Sequence, residues 1–120
     1  MSKSFVKGFG FAFEGLFRVF ETQRNFRFQL IIGTLSLFLA VFLQISLFQW
    51  TVLLLCIALV LSAEIINTVI ETVVDMVTTT INPKAKLAKD LSAAVVLINA
   101  MITAIVGLLI FIPHIIKFFQ

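Results

Sequence analysis

The sequence predicts an all-α membrane protein: an amphipathic N-terminal helix lying in the membrane interface, followed by three transmembrane helices. Three observations point to this class. Of 120 residues, 61% are hydrophobic and only 12% are charged, a balance far from that of soluble globular domains. Three apolar stretches, at about 28–48, 50–77 and 91–111, each reach the roughly 20 residues that a helix needs to cross a hydrocarbon core about 30 Å thick. The charges gather at the margins of these stretches, except for Glu64, Glu71 and Asp75 in the second.

Residues 1–27 come first and differ in pattern. In KSFVKGFGFAFEGLFRVFE, Phe5, Phe9, Ala12, Phe13, Leu16 and Phe20 fall on one side of a helix, and Lys3, Lys7, Glu14, Arg18 and Glu21 gather opposite. Such a helix lies in the interface plane. Gly8, Gly10 and Gly15 lower its intrinsic helicity and leave room for a close neighbour. The segment is too charged for the apolar core of a cleavable signal peptide, so the N-terminus is expected to be kept. Arg18, Arg24 and Arg27 are expected to anchor lipid headgroups.

The connection between the first two spans, LQISLFQW, is short and uncharged, whereas the next, TTTINPKAKLAKD, holds three lysines. Basic segments favour the cytoplasmic side, which places the N-terminus and the lysine loop inside and the 44–49 turn outside. Three spans then put the C-terminus outside. Trp50 suits the outer interface belt. Asn82 and Pro83 mark a turn, and Pro113 is expected to end or kink the third span. Asn99 and Thr103, one turn apart, read as structural. His114 reads as an interface residue. Cys56 has no second cysteine for a disulfide or a metal pair. The net charge of +3 flanks apolar spans and forms no stripe with exposed aromatics, which argues for headgroup contact and against nucleic acid. The whole chain, 1–120, reads as one domain.

The second span carries the chemistry. From Glu64 to Asn67, Glu71 and Asp75 the offsets rotate to about −60°, −20° and +20°, so all four share one narrow helical face. Glu64 lies about 16 Å along the axis from Asp75. With Asp75 near the cytoplasmic boundary, Glu64 is drawn well into the membrane. An ionisable group there costs at least ~2.5 kcal/mol, so the stripe must face protein or a wet cavity. Interhelical hydrogen bonding alone is worth under ~2 kcal/mol per bond, too little to retain three acids.

Carboxylates beside a lysine loop offer oxygen ligands for Mg²⁺ and cations for phosphate, a combination suited to phosphoryl transfer. Desolvation strengthens a carboxylate as a base, which suits proton transfer from an alcohol. Alcohols at that depth are lipids. A small proton or ion conduit is the alternative of another class, since acid rows also line relays and pores; it leaves the lysine loop and the amphipathic helix without a role. GFGFAFEG has neither the GK[ST] ending of a P-loop nor a preceding strand.

At this point the residues become recognisable. EIINTVIETVVD (64–75) followed by NPKAKLAKDLSAAVVL (82–97) closely resembles the signature of the small prokaryotic diacylglycerol kinase family, E-x-x-N-[ST]-x-I-E-x-x-V-D and then A-K-x-A-K-D-x-x-[AS]-[AG]-x-V-L. The resemblance extends over nearly the whole chain. It implies a homotrimer in the bacterial cell membrane, with sites shared between subunits, that transfers the γ-phosphate of ATP to a membrane alcohol with Mg²⁺. It further implies Glu64 as general base, Asn67 as the polar residue holding it and the lipid hydroxyl, Glu71 as a Mg²⁺ ligand and Asp75 on the nucleotide side. Lys89 and Asp90 would handle ATP phosphate and ribose. Apart from the resemblance, the 14 phenylalanines read mostly as lipid-facing bulk and interface anchors, with Phe13 a candidate to stack on adenine. Within the family, ETQRNFRFQL, the Asn67–Thr68 pair and the GLLIFIP ending are similar to the Gram-positive undecaprenol kinase branch; diacylglycerol is the alternative acceptor. One departure concerns metal. The family carries glutamate in T-E-R-N as a second ligand, and this chain has Gln23, which can coordinate a hard cation but brings no charge. Glu21, about 200° round the helix from it, is badly placed to substitute.

Overall fold

The computed structural model describes residues 2–120, with side chains from Ser4 onward. It contains α1 (Ser2–Thr22), α2 (Arg24–Leu43), α3 (Leu47–Val77) and α4 (Pro83–Phe118). Lys3, assigned above to the polar side of α1, lies outside the described side chains. No strand occurs among the described residues. Three helices, α2, α3 and α4, are long and apolar enough to cross a membrane, and the protein is an all-helical membrane protein. With 31 residues in α3 and 36 in α4, these helices run to about 46 and about 54 Å at 1.5 Å per residue. Both exceed the hydrocarbon thickness, so their polar ends extend beyond it.

Local chemistry sets each boundary. Gln23 alone separates α1 from α2, in an extended conformation (φ −108°, ψ 106°). The Arg27 guanidinium folds back and donates to the carbonyls of Phe20 and Glu21, both at 2.8 Å. A cation there satisfies the last carbonyls of α1 and complements its dipole. Arg27 thus serves as a helix cap, a task the sequence did not indicate. α2 ends at Gln44, whose left-handed φ of 53° lets its N–H reach back to Ala40 and Val41. Ser46 and Gln49 then form a reciprocal capping box at the start of α3. Asn82 caps α4, accepting from the Lys84 N–H at 2.8 Å, with Pro83 at the first helical position, where its missing N–H is harmless.

Pro113 does not end α4, which continues to Phe118. In a membrane helix, packing against neighbours tolerates the one lost backbone bond. The next residue is held across the bundle, where His114 Nε2 lies 2.9 Å from Gln49 Oε1. That contact draws the end of α4 onto the start of α3.

The apolar core sits at this same end, where Ala40, Ile45, Leu53 and Ile110 are buried with Trp50, Ile57 and Phe111 packed around them. Trp50, expected at the outer interface, packs inward against this core. Elsewhere large apolar side chains stay exposed, including Phe5, Phe9, Phe13, Leu16 and Phe20 of α1, as expected where lipid replaces water as solvent. α2 packs close against α3 at Gly33, where an added Cβ would stand 3.3 Å from Ile57 Cγ2. Gly33→Val should overpack this crossing and destabilise the fold by about 1–3 kcal/mol, read as a lowered thermal midpoint in detergent micelles, with Gly33→Ala milder.

Candidate functional site

The carboxylate face of α3 turns toward α4, and these two helices share the most extensive contact in the chain. At the water-exposed end, Lys89 Nζ donates to Asp75 Oδ1 at 2.6 Å. On α4 itself, Lys86 Nζ donates to Asp90 Oδ2 at 2.6 Å. Both pairs are largely exposed, and exposed ion pairs are worth about 0–1 kcal/mol. A phosphate could therefore draw either lysine away at little cost.

One step deeper the bonding becomes neutral and more enclosed. Ser92 Oγ lies 2.6 Å from Asn67 Oδ1 and 2.9 Å from the Lys89 carbonyl. The other side of the same amide, Asn67 Nδ2, donates to Glu71 Oε1 at 3.3 Å. Deepest lies Glu64, only 2% exposed. Gln29 from α2 faces its carboxyl, and Glu64 Oε2 and Gln29 Oε1 are both buried without a partner. Buried acceptors left unsatisfied cost about 1–3 kcal/mol each. Two of them side by side make a place that a hydroxyl donor would fill.

Two cavities meet this polar line. A cleft of about 570 Å³ opens where α3 passes into α4, lined by Asp75, Thr78, Thr80, Lys86, Lys89 and Asp90 among others. A second, apolar groove of about 460 Å³ runs between α2, α3 and α4, past Gly33, Ile57, Val60 and Gly107, and includes Gln29. Both volumes fall in the range of small-molecule sites, roughly 300–1,000 Å³. The polar cleft, suited to phosphates, includes Asp75 at one end of the carboxylate line, and the apolar groove, suited to a hydrocarbon chain, reaches Gln29, the neighbour of Glu64 at the other end.

Of the residues singled out in the sequence, Asn67, Glu71, Asp75, Lys89 and Asp90 are gathered along the α3–α4 face, and Glu64 continues the line on α3 beside Gln29 of α2. Gln23 and Phe13 are not. Gln23 stands at the N-cap position of α2 without a side-chain capping bond, its amide donates to Thr22 Oγ1 at 3.4 Å, and no hydrogen bond joins it to Glu71. Phe13 is 68% exposed on α1 and lines a shallow hollow with Glu14, Phe17 and Arg18. Three features escaped the sequence reading: Ser92, Gln29 and the Thr78–Thr80 hydroxyls. For Ser92 a signal existed, because an offset of three from Lys89 places it on the same side of the helix.

Metal binding can be tested against the donors present. Among the described residues no three carboxylate, histidine or cysteine side chains converge, so the chain builds no metal cage. Magnesium in nucleotide sites needs none: one or two carboxylates, the nucleotide phosphates and water suffice. Glu71 fits that role, with one oxygen held by Asn67.

The family described as prokaryotic diacylglycerol kinase matches residues 10–111. The chain is 38% identical over 109 residues to the undecaprenol kinase of Bacillus subtilis (strain 168), covering 91% of this chain and 89% of that protein. It is 34% identical over 114 residues to a diacylglycerol kinase of Synechocystis sp. (strain ATCC 27184 / PCC 6803 / Kazusa), covering 94% of this chain and 65% of that protein.

Asn67 holds both neighbours through one amide, so Asn67→Ala should leave the Ser92 hydroxyl and a Glu71 oxygen without their side-chain partner. The expected loss is about 1–3 kcal/mol of stability, measured by thermal unfolding in micelles.

Proposed function

The chain belongs to the prokaryotic diacylglycerol kinase family and is an ATP-dependent lipid kinase, and from that premise we propose that its acceptor is undecaprenol and its product undecaprenyl phosphate. The observation that carries this is the Glu64 carboxylate, buried with one oxygen unpartnered beside the apolar groove that Gln29 shares. The similarity to the Bacillus enzyme favours undecaprenol, whereas the Synechocystis relative keeps diacylglycerol as the second acceptor. Membership in a kinase family leaves an ion conduit without support.

In this mechanism the hydroxyl of the acceptor rests against Glu64 with its chain along the groove. Glu64 takes the hydroxyl proton as the oxygen attacks the γ-phosphorus, and the bond to the β-phosphate oxygen breaks to release ADP. The product is a phosphate monoester of the lipid. A positioned base of this kind contributes about 10²–10⁴-fold. Asn67 steadies the acceptor end of the site. Lys89 exchanges Asp75 for the transferring phosphate, placing positive charge where it develops in the transition state. Asp75 and Asp90 line the nucleotide side of the cleft. Glu71 would hold Mg²⁺ together with the nucleotide, and the bound ion would supply further positive charge to the transferring phosphate. The whole chain, 1–120, acts as one unit of a homotrimer, and Gln23 and Phe13 reach metal and adenine in the site of a neighbouring copy. The N-terminus and the lysine loop lie at the cytoplasmic face of a bacterial cell membrane, with the C-terminus outside.

Incubating the purified protein in lipid with γ-labelled ATP, Mg²⁺ and either undecaprenol or diacylglycerol tests the acceptor. Label should enter undecaprenol preferentially; label chiefly in diacylglycerol would reverse the assignment. Glu64→Gln should lower kcat by about 10²–10⁴-fold while preserving helical content. Gln23→Glu should lower the Mg²⁺ concentration for half-maximal rate, and an unchanged requirement would remove position 23 from the metal site.

A further inference from the structure

Ser92 and Glu64 are the two buried polar side chains among the described residues, and Ser92 is 5% exposed. It has no part in the reaction above. A serine hydroxyl carries a single proton, and two acceptors compete for it. The Lys89 carbonyl, at 2.9 Å, lies within α4 and has a backbone N–H four residues on as its helical partner. Asn67 Oδ1, at 2.6 Å, is nearer and has no other hydrogen bond among the described residues. The proton therefore goes to Asn67.

That single bond decides which way the Asn67 amide points. Oxygen and nitrogen of a carboxamide are nearly equal in shape, so only the hydrogen-bond network distinguishes its two orientations. With Ser92 donating, the carbonyl faces α4 and the NH₂ group faces Glu71 Oε1, 3.3 Å away. Reversed, the amide would set its oxygen against a carboxylate oxygen and repel it. One Glu71 oxygen is thus held by a donor while the other stays open to a cation. Outer-shell partners of this kind typically change metal affinity by about 10–100-fold when removed.

We propose that Ser92 is a positioning residue for the divalent cation: through the orientation of Asn67 it sets the Glu71 carboxylate that holds the metal–nucleotide complex. The proposal rests on the assignment of Glu71 as metal ligand. Ser92 reaches that carboxylate only through Asn67, from the opposing helix, so it ties cation affinity to the packing of α3 on α4.

The test uses the full chain in lipid nanodiscs with Mn²⁺ and a non-hydrolysable ATP analogue, free Mn²⁺ being read by electron paramagnetic resonance. The Mg²⁺ dependence of kinase rate is measured in parallel. Ser92→Ala should weaken Mn²⁺ binding about 10-fold and raise the Mg²⁺ requirement to match, with KM for the lipid unchanged. Ser92→Thr, which keeps the hydroxyl, should restore both. Glu71→Gln separates the two layers. If it leaves Mn²⁺ binding intact, the metal assignment fails and the proposal with it. If it abolishes binding while Ser92→Ala has no effect, the assignment stands and the role of Ser92 is overturned. Equal weakening by Ala and Thr would reduce Ser92 to a packing residue and also overturn it.

Discussion

A polar side chain inside a membrane must find its partner within the protein or in a ligand, because hydrocarbon offers none. The acid face of α3 is the strongest case of that constraint in this chain, and it fixes how α3 meets α4. Asp75 takes Lys89, and Glu71 takes Asn67, which takes Ser92. Each partner lies on the first turns of α4 or on α3 itself. A quarter turn of α4 would strand several of these groups at once. At the other end of the bundle the contact between His114 and Gln49 and the core around Ala40 hold the same two helices by different means.

The interactions also grade from weak to strong along the axis. Near water the ion pairs are exposed and exchangeable, a property that suits a site receiving a charged nucleotide. In the middle they are neutral hydrogen bonds that orient. At the deep end Glu64 is enclosed and incompletely satisfied, a state that burial makes costly and that a hydroxyl would relieve. Phosphoryl transfer from a water-soluble donor to a lipid alcohol calls for this order of environments.

The fold was legible to the extent that it depends on composition and on short-range pattern. The three apolar helices, the Asn82–Pro83 start of α4 and the one-sided stripe of acids follow from hydropathy, capping chemistry and a 100° step. Of the two outcomes expected at Pro113, an end or a kink of the third span, the end does not occur, because α4 continues through it to Phe118. Arg27 was expected at headgroups, and the structure adds that it caps α1 through the carbonyls of Phe20 and Glu21, a contact that exists only once the chain bends at Gln23. Gln29 is a single glutamine in a mixed segment, and nothing in its sequence neighbourhood marks it as facing Glu64.

What the sequence determined by itself is therefore which residues can share a face, since helical geometry converts spacing directly into direction. It placed Glu64, Asn67, Glu71 and Asp75 together and set their order in depth. The tertiary structure decided what that face meets. Whether Lys89 reaches Asp75, whether Ser92 or some other group orders the Asn67 amide, and whether Gln29 closes over Glu64 depend on the rotation and offset of α2 and α4 against α3. Those are set by contacts between residues far apart in the chain, such as Gly33 with Ile57 and Gln49 with His114, and no local periodicity encodes them.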